Sequence, residues 1–245
     1  MTIEIEEKLP DGTRLFGWKS EPSFTPIAPS YTHWFSEKKI FSSEECESWN
    51  KYLLRLEPVL LDKFITTKGD GGTGLGESSI TSRYAHFNVL KFDFDLVPKL
   101  KESICDGICT LLRVSDNTDW QDTLYSNSWF NVLRQGEEMD VHAHFDTSVI
   151  KHILYGFHVT IKAIAPSFTD YYHHLKFSPE IFHIPNKIGY LTLFPNFIPH
   201  GVSPNRYTTP RVTIAGDTFS SSWLDETTPG AMNKNLVKLG IIKHE

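Results

Sequence analysis

The hydrophobic positions follow one period in the first half of the chain and another in the second. Around residues 42–56 and 97–113 apolar residues recur every three or four positions, the spacing of an amphipathic helix. From about residue 125 they alternate with polar ones, the spacing of strands. Ser42 followed by Glu45 forms a capping box, with Phe41 placed to staple onto Cys46, so a first helix begins there with Cys46, Trp49, Leu53 and Leu56 as its buried stripe. A second helix is predicted over 97–113, entered through Pro98 and striped by Leu100, Ile104, Ile108 and Leu111. Strand-like runs follow at 128–135, 139–145, 153–164, 180–184, 190–195 and 211–219, punctuated by Gly, Pro and Asn. A parallel sheet would place helical crossovers between them. The succession predicts a mainly β protein, an antiparallel jelly-roll core with N-terminal helices packed on it.

Residues 1–40 are Pro-rich and read as an irregular wrapping arm, whose Phe16, Trp18, Phe24, Tyr31, Trp34 and Phe35 need a surface to pack on. The tail beyond Trp223 is polar and then runs LVKLGII, which predicts a short helix covering the barrel or a second subunit. A single domain over 1–245 is expected: arm and first helix in 1–75, core in 76–223, C-terminal tail in 224–245. The glycine-rich segment 66–79, TTKGDGGTGLGESS, has neither the lysine placement of a phosphate-binding loop nor the glycine spacing of a dinucleotide site. It reads either as a surface loop or as an active-site lid.

Composition narrows the function classes. The 245 residues are 40% hydrophobic, with 17 Phe, 9 Tyr and 6 Trp, enough apolar material for a large core and too much for bulk disorder. A net charge of −6 and the lack of a basic patch argue against nucleic acid as a partner. No stretch approaches the ~20 apolar residues of a membrane span, and the acidic start MTIEIEEKLP is unlike a targeting peptide. Three cysteines, Cys46, Cys105 and Cys109, suit core thiols in a reducing compartment. A cytoplasmic protein is expected, its oligomeric state open.

The chemistry concentrates in DVHAHFDT, where His142, His144 and Asp146 occupy alternate positions and so share one face of a strand. Burying three such groups without partners is costly, and a metal would satisfy them. His144-x-Asp146 supplies two legs of the 2-His-1-carboxylate arrangement that binds non-haem Fe(II) with open coordination positions. The third leg is sought in a distant histidine, and His200, in GYLTLFPNFIPHGVSPN, is the candidate. Beyond it RVTIAGDTF places Arg211, Thr213 and Asp217 on one strand face. An arginine pointing into a barrel calls for an anion, and its planar fork suits a carboxylate, to which Thr213 adds a hydroxyl.

His144-x-Asp146, His200 and Arg211 with Thr213 resemble the Fe(II)- and 2-oxoglutarate-dependent dioxygenases, whose fold is a double-stranded β-helix. More narrowly, ITSRYAHFNVL, SWFNVLRQGEEMDVHAH and GYLTLFPNFIPHGVSPN look like a group of 2-oxoglutarate oxygenases found in bacteria and phages, over about residues 75–220. In that group the first motif reads H-x-H-Pro. His142 and His144 match its histidines and Phe145 takes the proline's place, which makes His142 a further candidate ligand. The Ser-Gly-Val-Tyr-Tyr pattern expected afterwards is missing from TSVIKHILYGFHVTIKAI, where Tyr155-Gly156-Phe157 is the nearest counterpart.

The resemblance implies iron held by His144, Asp146 and His200, and 2-oxoglutarate chelating it while Arg211 and Thr213 grip the distal carboxylate. Asn131 is implied in the polar lining of that pocket. Dioxygen would then be consumed with release of succinate and CO2, and a C–H bond of an amino acid, small metabolite or protein side chain hydroxylated. Two rival readings stand beside it. One is a cupin-like metal enzyme using His142, His144 and His200 without 2-oxoglutarate, although it lacks the glutamate expected after H-x-H. The other is a non-enzymatic jelly-roll binding protein. Among the other candidates, His173, His174 and His183 read as solvated, as does Arg206. His33, His86, His152, His158 and His244 show no partners, and Arg83, Tyr84 and Arg134 read either as contacts to an acidic substrate or as surface charge.

Overall fold

The structure is a computed structural model that describes residues 5–19, 32–65, 70, 72–115, 122–144, 153–172, 181–221 and 235–242. In chain order the elements are β1 (Ile5–Lys8), β2 (Arg14–Lys19), β3 (Thr32–Lys39), α1 (Ser43–Lys63), α2 (Val97–Val114), β4 (Asp122–Leu133), β5 (Met139–His142) and β6 (Ile153–Lys162). They continue with β7 (Phe168–Tyr172), β8 (Ile181–Pro185), β9 (Tyr190–Pro195), β10 (His200–Val202), β11 (Arg211–Ser220) and β12 (Val237–Ile242). Two antiparallel sheets result. The larger runs β1-β2-β3-β9-β6-β11-β4-β12 and the smaller β5-β10-β7-β8. This is the mainly β jelly roll that the alternation predicts.

Strand alternation divides the larger sheet into two faces with different work. Phe130 and Val132 of β4, Val159 and Ile161 of β6, Leu191 and Leu193 of β9, and Val212 and Ile214 of β11 form one buried cluster with Trp49 and Leu53 of α1 and Leu100, Ile104 and Ile108 of α2. The helices therefore cover the outer face. The intervening residues of β4 and β11, Asn131, Arg211, Thr213 and Asp217, line a cavity instead. A second apolar cluster of Phe16, Phe35, Tyr171, Phe182, Ile184, Phe194 and Ile198 joins the larger sheet to the smaller one. The site is thus built on the inner face, between rigid strands whose other face is anchored by the helices.

Helix α1 begins as its sequence dictates. Ser42 Oγ accepts from the Glu45 amide at 3.2 Å, and Glu45 returns the bond to the Ser42 amide at 2.7 Å. Its stripe departs from expectation in the last turns, where Glu57 and Leu60 are buried and Leu56 is only partly so. The helical period puts position 57 on the buried face. Its carboxylate is accommodated by Arg134, whose Nη2 donates to both oxygens at 3.0 and 2.9 Å. Helix α2 packs its stripe as read, with Leu100, Ile104, Ile108 and Leu111 fully buried.

Both ends of the chain correct the sequence reading. The supposed irregular arm supplies β1, β2 and β3, which extend the larger sheet through β3–β9 pairing. The turn between β1 and β2 rests on Asp11, which accepts from the Thr13 amide at 3.0 Å, and on Gly12 at φ +84°. That Pro10-Asp11-Gly12 is a recognisable turn signal. Phe16 and Phe35 pack between the sheets; Phe24 and Tyr31 lie outside the described residues. LVKLGII is not a helix either. It contains β12, which pairs with β4 and covers what would be an open sheet edge. Strands β7 and β10 were also unforeseen, β10 because three residues carry no periodicity.

Candidate active site

The smaller sheet brings the histidines together. His200 opens β10 directly opposite His142, the last residue of β5, while Tyr171 of β7 flanks it on the other side. His144 follows two residues after His142, and one ring nitrogen from each of His142, His144 and His200 can be chosen so that all lie within 4.8 Å of one another. Among the described residues this is the one group of three His, Cys, Asp or Glu side chains arranged to hold a metal. Asp146, the carboxylate of the expected triad, lies outside the described residues, as do His152, His173, His174 and His244.

Each of the three rings is tied back through Nδ1. His142 Nδ1 lies 2.7 Å from the Asp140 carbonyl, His144 Nδ1 2.7 Å from Asp217 Oδ1, and His200 Nδ1 3.2 Å from the Ile198 carbonyl. Carbonyls and carboxylates only accept, so Nδ1 carries the hydrogen and Nε2 keeps its lone pair. A histidine prepared as a metal ligand is held in this way. Burial reinforces the neutral form: desolvation, with His144 beside it, pushes the His142 pKa down to about 4, and His200, 6% exposed, lies well below its ordinary value for the same reasons. Asp217 was noticed in the sequence only as a face partner of Arg211; its hold on His144 has no sequence signal.

Arg211 occupies the same cavity. It is 2% exposed, its Nη1 donates to Ser167 Oγ at 2.8 Å, and its Nε and Nη2 have no acceptor among the described residues. Desolvation lowers its pKa to about 10. Two aligned, unpartnered guanidinium donors in a buried cavity fit a carboxylate. Thr213 faces Asn131 across the β11–β4 ladder, and Asn131 Nδ2 lies 3.4 Å from Thr213 Oγ1. Asn131 Oδ1 accepts from Thr81 Oγ1 at 2.8 Å, which fixes the amide's orientation.

Other candidates are redistributed. His158, read as partnerless, lines the cavity with its Nε2 2.8 Å from the Tyr171 hydroxyl, and burial pushes its pKa down to about 4. His86 stacks on Phe64, His33 lies edge-on to Phe197, and His183 pairs with Asp170 at 2.7 Å on the surface. Arg206 is exposed. Neither arginine offered to an acidic substrate lines the cavity. Arg134 is held by Glu57, and Arg83 is buried and donates to the carbonyls of Phe64, Glu77 and Ser79. Tyr84 does line the cavity, its ring 5.7 Å from that of Trp129, which in turn lies 5.5 Å from His144.

The glycine-rich segment forms part of the cavity wall. Asp70 and Thr73 line it, and the Thr73 carbonyl accepts from the Asp140 amide at 2.8 Å, fastening the loop to β5. Gly72, Gly74 and Gly76 adopt left-handed φ angles between +74° and +77°, which explains the glycines. Residues 66–69 and 71 lie outside the described residues. The cavity measures about 360 Å³, a volume suited to small molecules.

No family model matches the chain, and no curated protein does. Solved structures do match in fold. EctD from S. alaskensis, in its apoform, is 16% identical, with 77% of this chain and 73% of that one covered and a TM-score of 0.52. The non-haem α-ketoglutarate-dependent carbocyclase SnoK from nogalamycin biosynthesis is 11% identical, with 85% and 92% covered and a TM-score of 0.51. The chain shares the fold of these proteins. The double-stranded β-helix expected from the sequence resemblance is therefore its architecture.

Proposed function

We propose that the protein is an Fe(II)- and 2-oxoglutarate-dependent oxygenase that hydroxylates a C–H bond of an amino acid, small metabolite or protein side chain. The observation that carries this reading is Arg211. A buried guanidinium with two free donors shares one small cavity with a three-histidine cluster, so the cavity suits a ligand with a carboxylate at one end and metal-binding oxygens at the other. A 2-oxo dicarboxylic acid has that form.

His144 and His200 would hold the metal through Nε2, with the third ligand either His142, already in the cluster, or Asp146, two residues along the chain from His144. Asp217 keeps His144 in the required tautomer and orientation. Arg211 would take the distal carboxylate of the 2-oxo acid, with the Thr213 hydroxyl beside it and Asn131 holding Thr213. With metal and 2-oxoglutarate bound, the site would supply oxidative chemistry from dioxygen, with succinate and CO2 as by-products. The apolar lining, Phe194, Phe157, Ala215 and Trp129, keeps water away from the reacting centre. A cytoplasmic location, no nucleic-acid partner and one domain over 1–245 belong to the same proposal. Among the described residues no helix is long and apolar enough to cross a membrane.

The test is an anaerobic titration with Fe(II) and then 2-oxoglutarate, watching for the visible charge-transfer band of the chelate. A saturable band that Arg211→Ala weakens is the expected result. Iron binding without a band would instead favour the second reading, a cupin-like three-histidine metal enzyme, for which the grouping of His142 with His144 and His200 speaks.

A further inference from the structure

The walls of the cavity near the histidines differ from its Arg211 end. The Trp129 ring lies beside His144, and the Tyr84 ring lies against Trp129, tilted at 60° with centroids 5.7 Å apart. On the side of His142 stands the glycine-rich loop, so close that a side chain on Gly72 would meet the His142 Cβ at 3.9 Å. Asp70 belongs to this loop and lines the cavity. Its Oδ1 accepts from the Gly72 amide at 3.1 Å and its Oδ2 from the Gly76 amide at 2.8 Å, which fixes the carboxylate in place while each oxygen keeps a second lone pair.

The charged side chains lining the cavity, among the described residues, are Asp70, Asp217 and Arg211, besides the histidines. Asp217 is engaged with His144. Arg211 is the carboxylate anchor of the proposed function. Asp70 is left facing whatever enters beside the histidines. A substrate with an anionic end would meet this carboxylate and find neither Arg83 nor Arg134 to answer it, because neither lines the cavity. A cation would gain the charge of Asp70 and contact with two aromatic rings that line the cavity.

We propose that the substrate of this site carries an alkylammonium or quaternary ammonium group, seated between Asp70 and the Tyr84–Trp129 pair. This rests on reading the cavity as the oxygenase site proposed above. The limited volume, shared with a 2-oxo acid at Arg211, restricts the substrate to a small cation or one cationic side chain.

Three probes of similar shape test the charge: choline, its neutral carbon isostere neohexyl alcohol, and the anion tert-butylacetate. Binding is followed by ligand-observed NMR on the full chain, in the wild type and in Arg211→Met, which removes the deep anion site. Choline is expected to bind at least tenfold more tightly than the alcohol in both proteins. That preference should fall about tenfold in Asp70→Asn and also in Tyr84→Leu, each checked for an unchanged fold by thermal melting. Equal binding of choline and the alcohol, no binding of choline, or stronger binding of tert-butylacetate to Arg211→Met would overturn the proposal. The Fe(II) and 2-oxoglutarate titration on the same preparation separates the two failures. A charge-transfer band without choline preference removes the cation site alone, whereas choline preference without a band removes the oxygenase reading and leaves a cation-binding cavity.

Discussion

Asp217 of β11 and His144, two residues beyond the end of β5, meet in the cavity with Oδ1 2.7 Å from Nδ1. The carboxylate holds the hydrogen on Nδ1 and leaves Nε2 with its lone pair, the form a metal ligand needs. Asp217→Ala should therefore weaken metal binding by about 10- to 100-fold, the usual effect of losing a partner that orients a ligand. Asp217→Asn retains an acceptor and should recover most of that loss. Titration of the metal-free protein with Fe(II), or with Ni(II) as an air-stable substitute, gives the comparison. Unchanged affinity in Asp217→Ala would show that His144 does not need this partner, or does not bind the metal.

The two free donors of Arg211 set binding against stability. Desolvating an unpaired guanidinium costs free energy in the empty protein, so Arg211→Met should leave its thermal stability unchanged or raise it. The wild type should gain stability from 2-oxoglutarate with the logarithm of its concentration above the dissociation constant, about 2.7 kcal/mol at one hundred times that constant. Arg211→Met should show almost none of this gain. A variant that is strongly destabilised yet still responds to the ligand would mean that Arg211 is a structural residue.

How much of this was legible in the sequence depends on whether a residue's role is local or arises from pairing. The Ser42–Glu45 box and the α2 stripe are local and appear as read. The period-two runs after residue 125 gave the fold class, because a half-buried strand must alternate whatever its partner. The roles of His158, Asp217 and Glu57 were invisible, since each depends on a residue brought near by the sheets: Tyr171, His144 and Arg134. For Arg83 and Arg134 the sequence does not separate a substrate contact from an ordinary structural or surface charge. A sequence shows a charge but not the carbonyl or carboxylate that occupies it. The first two strands carry a signal in Asp11-Gly12, which turns the chain between them.

Glu37 tests what a buried charge contributes to the frame around the site. It is 1% exposed and is met by Arg14 Nη1 at 2.8 Å and Lys187 Nζ at 2.7 Å, both of which reach solvent. Removing the acid leaves two cations that can hydrate, so Glu37→Gln should cost only about 1 kcal/mol. Removing both cations leaves a buried carboxylate without a partner, and Arg14→Met with Lys187→Met should cost about 3–5 kcal/mol. Urea unfolding of the variants measures the asymmetry. Equal costs would show that hydration reaches Glu37 after all.

The buried imidazoles make acid stability depend on the metal. Burial pushes the His142 and His158 pKa values from 6.5 down to about 4, so between those values the unfolded chain binds protons that the folded one refuses. Stability should therefore fall as the pH drops from about 6.5 to about 4, by up to about 3 kcal/mol for each such histidine. Above pH 6.5 these groups contribute no slope. A metal binds the neutral rings and competes with protons, so the Ni(II)-loaded protein should keep its stability to lower pH than the metal-free form. His158→Gln should remove part of the metal-free slope without reducing the stabilisation by Ni(II) at pH 7.5, because His158 lies outside the three-histidine group. Urea midpoints at several pH values, with and without Ni(II), decide it. If His158→Gln left the slope intact, His158 would not be held neutral, and if it abolished the Ni(II) effect, His158 would belong to the metal site.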